Sequence, residues 1–246
     1  MNANNRLRRI TATAMLVAVG VILAEVLCLS YPSAANPTLR FSLGYLPILL
    51  AGLLFGPVYG AIAGIIQDLL GFFLFQSGVF HLGYTLNAML YGLVPGLLFA
   101  REWKHEKGFF YVANYVFSAL FLAGTVWYFF HLTEYNTSAA FALWVKYLIA
   151  SLAVLASLSV AFMNYRAWKH PREGISRHKL LFLLSVLYVL TSLIFTPLWI
   201  ISVAPTIRFW NLIPIRLAKM PIDVAIYQFL TPKMLSVTKK IFARED

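Results

Sequence analysis

The stretch GLLFGPVYGAIAG, residues 52–64, decides the fold of this chain. Gly52, Gly56, Gly60 and Gly64 stand four residues apart in an otherwise apolar run. Residues at that spacing share one face of a helix. Glycine there lets a second backbone come into contact, which is how helices pack inside a bilayer, where lipid is as apolar as the side chains. Pro57 has no N–H and its ring obstructs the preceding turn. The ladder is therefore expected to be divided between two helices that meet at Gly56-Pro57, with a direct ligand role for the glycines as the competing reading. Gly71 lies beyond the ladder, and Gly92 and Gly96 repeat its spacing.

Working outward, the whole chain shares this character. Of its 246 residues 61% are hydrophobic and 12% charged, and the mean hydropathy is +0.76. Soluble domains stay near half apolar, whereas runs of about 20 apolar residues are long enough to cross a bilayer as helices. Spans are expected at roughly 10–30, 43–56, 57–77, 83–100, 109–131, 140–165, 178–202 and 211–235. In lipid only helices and closed barrels satisfy every backbone hydrogen bond, and the runs lack the alternation of barrel strands. The fold class expected is an all-α polytopic membrane bundle forming one integral-membrane domain. Six Trp, 13 Tyr and 20 Phe suit interfacial belts and aromatic-lined pockets. The single Cys28 excludes an intrachain disulfide, and no Cys/His pattern suggests a metal site. Arg6, Arg8 and Arg9 precede an apolar stretch, and Ser33-Ala34-Ala35 has the look of a cleavage site. Glu25 interrupts that stretch, and Ile10–Leu29 is long enough to span, so an uncleaved first helix is expected.

The net charge of +11 does not indicate nucleic acid, because the cations fall in short loops. Three lie in the N-terminal tail, three after span four (Arg101, Lys104, Lys107), five after span six (Arg166, Lys169, Arg172, Arg177, Lys179) and four at the C-terminal end (Lys233, Lys239, Lys240, Arg244). Those fifteen of the 20 Lys and Arg residues share one side of an eight-span arrangement, as cytoplasmic loops do. Both termini are thus expected in the cytoplasm. Lys146 can snorkel. Arg40, Arg208, Arg216 and Lys219 run against the charge bias, on the external side.

Several constellations carry polar chemistry. Asp68 lies deep in an apolar run, where a carboxylate is costly unless paired or facing a polar cavity. It contacts ligand, caps a packing interface, or pairs with Arg216 or Lys219. Arg216, Lys219, Asp223 and Tyr227 share a helix face that points inward or, alternatively, snorkels at the interface. His81, Tyr84, Thr85, Asn87 and Tyr91 place hydrogen-bonding groups and flat rings near one rim; an interfacial aromatic girdle is the bland alternative. Ala14 and Ala18 form a small strip on the first helix, suited to close helix packing. No nucleophile–His–acid set, HExxH or phosphate loop occurs, so no enzyme activity, metal or cofactor is expected, and ATP-driven work would need other subunits.

The run Arg40-Phe-Ser-Leu-Gly-Tyr45-Leu-Pro-Ile-Leu-Leu-Ala-Gly-Leu-Leu-Phe-Gly-Pro-Val-Tyr-Gly-Ala61, followed by Asp68-Leu-Leu-Gly-Phe72, Gly83–Gly96, Thr196–Trp199 and Ile213–Arg216, resembles the folate-specific S component of energy-coupling factor (ECF) vitamin transporters. The resemblance covers about residues 8–102 and 178–232. It implies a six-helix vitamin-binding membrane subunit that topples to deliver folate, with a transmembrane T subunit and two ATPase subunits as partners. It also implies that Ala14 and Ala18 dock on the T subunit. Two departures stand out: residues 103–177 insert an extra helical hairpin, and Pro197 precedes the tryptophan. A pterin suits aromatic rings with Asn or Asp, and an anionic glutamate tail suits cations. The substrate-binding residues expected are Arg40, Phe41, Tyr45, Asp68, His81, Tyr84, Thr85, Asn87, Tyr91, Trp199, Arg208, Trp210, Arg216 and Lys219. The alternatives are an S component for riboflavin, thiamin or another precursor, and a self-sufficient carrier of an anionic solute.

Overall fold

The structure, a computed structural model, describes residues 3–31, 39–75, 80–100, 106–130, 143–169, 176–205 and 209–243. Nine α-helices account for nearly all of these: α1 (Ala3–Val21), α2 (Tyr45–Phe55), α3 (Pro57–Phe75), α4 (Leu82–Ala100), α5 (Glu106–Phe130), α6 (Leu143–Lys169), α7 (Arg177–Tyr188), α8 (Thr196–Val203) and α9 (Phe209–Ala243). π-Helical turns extend α1 over Ile22–Val26 and join α7 to α8 over Val189–Phe195. Leu29–Tyr31 (β1) and Leu39–Phe41 (β2) pair as a small two-stranded sheet.

Among the described residues six helices are long and apolar enough to cross a membrane: Asn5–Val26, Pro57–Phe75, Leu82–Ala100, Gly108–Trp127, Ala150–Lys169 and Arg177–Val203. Helix α2 is apolar but only 11 residues long, about 16 Å at 1.5 Å per residue and well short of a bilayer core of about 30 Å. Helices lie within all eight expected spans, but α2 and α9 are not among those six, and residues 76–77, 131 and 140–142 of the expected spans lie outside the described residues. The first helix does not run to residue 30: it ends at Val26, and the chain is extended by Leu29. Tyr31 precedes Pro32, and a residue before proline is pushed out of the α region.

The chain divides into two compact units, one of Met1–Ser30, Arg40–Glu102 and Lys233–Asp246, the other of Tyr31–Leu39 and Trp103–Pro232. In the first unit the glycine ladder sets the packing. Gly56 adopts φ +96°, a backbone suited to glycine, and separates α2 from α3. A Cβ on Gly92 would overlap the Gly60 carbonyl, and one on Gly64 would overlap the Ala88 carbonyl. A Cβ on Gly96 would meet Pro57. The pairs 57/96, 60/92 and 64/88 step in opposite directions, so α3 and α4 cross antiparallel with backbone on backbone. A Cβ on Gly52 would strike the Gly92 carbonyl too, which brings α2 onto the same seam.

In the second unit α5 and α6 form an antiparallel pair that packs on α7. Asn114 Nδ2 donates to the His178 carbonyl (3.0 Å) and to Asn164 Oδ1 (3.3 Å), while His178 Nδ1 lies 3.1 Å from Asn164 Oδ1. All three side chains are buried. The Tyr111 ring lies against Trp168 with centroids 4.4 Å apart and planes tilted by 36°. Gln228 of α9 donates to the Arg177 carbonyl (3.0 Å).

Candidate functional site

The antiparallel register of α3 and α4 continues past the last glycine contact and brings Asp68 opposite Thr85. Thr85 Oγ1 donates to Asp68 Oδ2 at 2.6 Å. A charge-assisted bond of this kind is what a carboxylate needs inside an apolar layer. Of the alternatives for Asp68, the structure thus shows a hydroxyl partner on the neighbouring helix. Glu25, in the π-helical turn, approaches the same face: a Cβ on Gly71 would sit 3.3 Å from its carboxylate oxygen. π-Bulges recur at functional sites because the extra residue re-aims a side chain.

The first unit also holds several flat rings. Tyr45, at the start of α2, stacks on Tyr91 of α4 with centroids 4.2 Å apart and planes 2° from parallel. Tyr91 is buried and Tyr45 half-buried. His81 accepts the Gly83 N–H on Nδ1 (3.0 Å), which caps the entry to α4, and its ring meets Tyr84 edge-on at 6.0 Å. Asn87 is buried in α4 and Phe41 is half-buried at the end of β2. Arg40 belongs to β2, but its side chain lies outside the described ones.

The second unit holds the other expected residues. Lys219 and Asp223 form an ion pair at 3.1 Å, with both side chains about five-sixths buried (16% and 17% exposed). Their i, i+4 spacing on α9 puts the two side chains on one face. Asp223 also faces Tyr188 of α7. Arg216 Nη1 donates to the Ser192 carbonyl at 3.4 Å, in the π-helical turn. Pro197, five residues on, has no N–H to give that carbonyl. Trp199 lies against Phe195 at 5.9 Å. Arg208 and the Trp210 side chain are outside the described residues.

Ala14 and Ala18 are exposed on α1, beside Met15 and Val19, while Ala12, Val17 and Val21 face inward. Two features escaped sequence reasoning. One is Gln67, buried next to Asp68 and bonded to the Gly44 carbonyl at 2.8 Å. The other is the Asn114–Asn164–His178 cluster. The signal for both was the same one that flagged Asp68, a polar side chain inside an apolar helix.

Comparison with known proteins follows the same lines. The family model described as ECF-type riboflavin transporter, S component, matches residues 4–140. The chain is 30% identical over 79 residues to the folate transporter FolT of Clostridium novyi, covering 32% of this chain and 46% of that protein. It is 38% identical over 95 residues to an uncharacterized protein of Mycoplasma pneumoniae, covering 36% of this chain and 20% of that one. The chain therefore spans about half the length of the first of these relatives and a fifth of the second. A crystal structure of FolT bound with folic acid superposes with a TM-score of 0.51 at 19% identity, covering 92% of this chain and 95% of that chain. That likeness shows a shared fold. The family model covers more than half of the residues, and the chain belongs to the ECF-type transporter S components that it describes.

Proposed function

We propose that the chain is the membrane substrate-binding subunit for folate uptake, energised by a separate T subunit and two ATPase subunits. The observation that carries this reading is the pairing of a hydroxyl-bonded carboxylate, Asp68 with Thr85, with the coplanar rings of Tyr45 and Tyr91 in one unit. A pterin is a flat heterocycle with N–H donors along one edge. A carboxylate bonds such donors strongly, and aromatic rings stack on the faces. Asp68, Thr85 and Asn87 are assigned to the pterin edge, and Phe41, Tyr84, Trp199 and Trp210 to stacking. Arg40, Arg208, Arg216 and Lys219 are assigned to the anionic tail on charge alone. The similarity to a curated folate transporter supports this choice of vitamin. Both termini lie in the cytoplasm by the distribution of Lys and Arg. The chain works as a single integral-membrane domain. Residues 103–177 are its inserted hairpin, and the Asn114 and Asn164 bonds dock that hairpin on α7.

A second reading has its own support, since the matching family model is described by riboflavin. Titration of the purified chain with folate, riboflavin and thiamin, followed by tryptophan fluorescence or calorimetry, separates them. Folate is expected to bind below micromolar concentration and the others far more weakly. Tighter binding of riboflavin would replace folate as the vitamin.

Asp68→Asn keeps the shape of the side chain and removes its charge. Folate affinity is expected to fall about 10- to 100-fold, the worth of a hydrogen bond to a charged group. An unchanged affinity would remove Asp68 from the site.

A further inference from the structure

We propose that Gln67 is a positioning residue that holds the loop entering α2 and keeps a bound ligand from leaving; the second half of this statement rests on the folate reading above. Gln67 is 4% exposed and sits one residue from Asp68, yet it serves a different neighbour. While Asp68 faces α4, the Gln67 amide faces α1 and the start of α2. Its Nε2 donates to the Gly44 carbonyl at 2.8 Å. Its Oε1 lies against Gly20 of α1, where a Cβ would overlap it, and has no hydrogen-bond partner among the described residues.

Gly44 is where the segment carrying Phe41 turns into α2, with Tyr45 as the first helical residue. The turn is held by two elements, the π-helical turn after α1 and helix α3. Ser42 Oγ donates to the Leu23 carbonyl in the π-helical turn (3.2 Å) and accepts the Gly44 N–H (3.0 Å). A Cβ on Gly44 would collide with Ala24. The Gln67 bond is the tie from α3. Without it the Gly44 carbonyl, at the N-cap of α2, keeps only the bond that the helix itself gives it, and a lost bond of this kind shifts a local opening equilibrium about tenfold. That shift falls on the turn that places Phe41 and Tyr45.

The contact with Gly20 gives the arrangement a second consequence. Gly20 lies on the inner face of α1, whereas Ala14 and Ala18 are exposed on its outer face. A displacement of α1 inward moves the Gln67 amide directly, and with it the Gly44 carbonyl. Gln67 thus positions the ligand loop according to where α1 stands.

The test uses the full chain in detergent or nanodiscs, with two variants. Gln67→Met fills the same space but cannot donate to Gly44; Gly20→Ala pushes on the amide while leaving the donor in place. Amide hydrogen exchange is measured on the ligand-free protein, and folate dissociation by stopped flow. Exchange over residues 39–46 is expected to quicken about tenfold in both variants, with α4 amides unaltered, and the folate off-rate to rise about tenfold. Wild-type exchange in the loop of Gln67→Met would overturn the proposal. So would acceleration spread evenly over α1 to α4, which is what a merely structural residue would give. A quickened loop with an unchanged off-rate would overturn the ligand-holding half. If the wild type binds no folate, the vitamin reading fails, and the exchange data still decide the role of Gln67.

Discussion

Gly92→Val is expected to destabilise the folded protein strongly. A Cβ at this position would overlap the Gly60 carbonyl oxygen and press on the Gly60 Cα at 2.8 Å. Both obstacles are backbone, so neither can swing aside as a side chain would. Overpacking a well-filled interior costs about 1–3 kcal/mol and sometimes more, and a rigid backbone on both sides places this case at the upper end. In a chain of this size about 3 kcal/mol lowers the melting temperature by roughly 6–12 °C. The variant should aggregate on extraction or melt that much earlier in a thermal-shift assay, and ligand binding should go with it, because the same seam sets Asp68 against Thr85. Gly108→Ala is the control: a Cβ there meets nothing within 4 Å. A Gly92→Val protein that melts like wild type would mean that α3 and α4 do not cross on these glycines.

Replacing Ala14 and Ala18 together by leucine is expected to leave folate binding intact and to eliminate uptake. The two alanines are exposed on α1, so larger side chains there meet no packed neighbour within this chain. A small-residue strip lets a partner helix approach at backbone distance, and two leucines would hold it off. Titration of the purified variant and uptake by cells that carry the T and ATPase subunits measure the two effects separately. Retained uptake would remove the strip from the docking surface. Loss of binding as well would place it in the packing of the subunit itself.

Much of the candidate site was legible because its signals are local. A carboxylate in an apolar run, rings near a rim and the shared face of Lys219 and Asp223 can all be read from spacing, whereas the ion pair between those two comes from the structure, where Lys219 had been a candidate partner for Asp68. Gln67 was passed over beside Asp68, although it is as polar and as deeply placed. Its role depends on which carbonyl comes within reach, and Gly44 is 23 residues away in sequence. Asn114, Asn164 and His178 were missed for the same reason, because a cluster drawn from three helices has no spacing to betray it. The end of the first helix at Val26 was misjudged on hydropathy. The apolar run continues, but the backbone leaves the helix at Leu27 and is extended from Leu29, where it pairs with Leu39–Phe41.

The sequence by itself determined that the chain is a membrane helix bundle, that Pro57 divides the glycine ladder, and which helix faces carry glycine or charge. These follow from composition, from the 3.6-residue period and from proline's missing donor, which are properties of a segment alone. Only the tertiary structure decided that Gly60 crosses Gly92, that Asp68 therefore meets Thr85, and that Gln67 turns away from both to hold Gly44. The reason is steric. Each of these polar groups must find a partner once buried, but which partner it finds is set by how closely two backbones approach, and that distance belongs to the pair of helices rather than to either one.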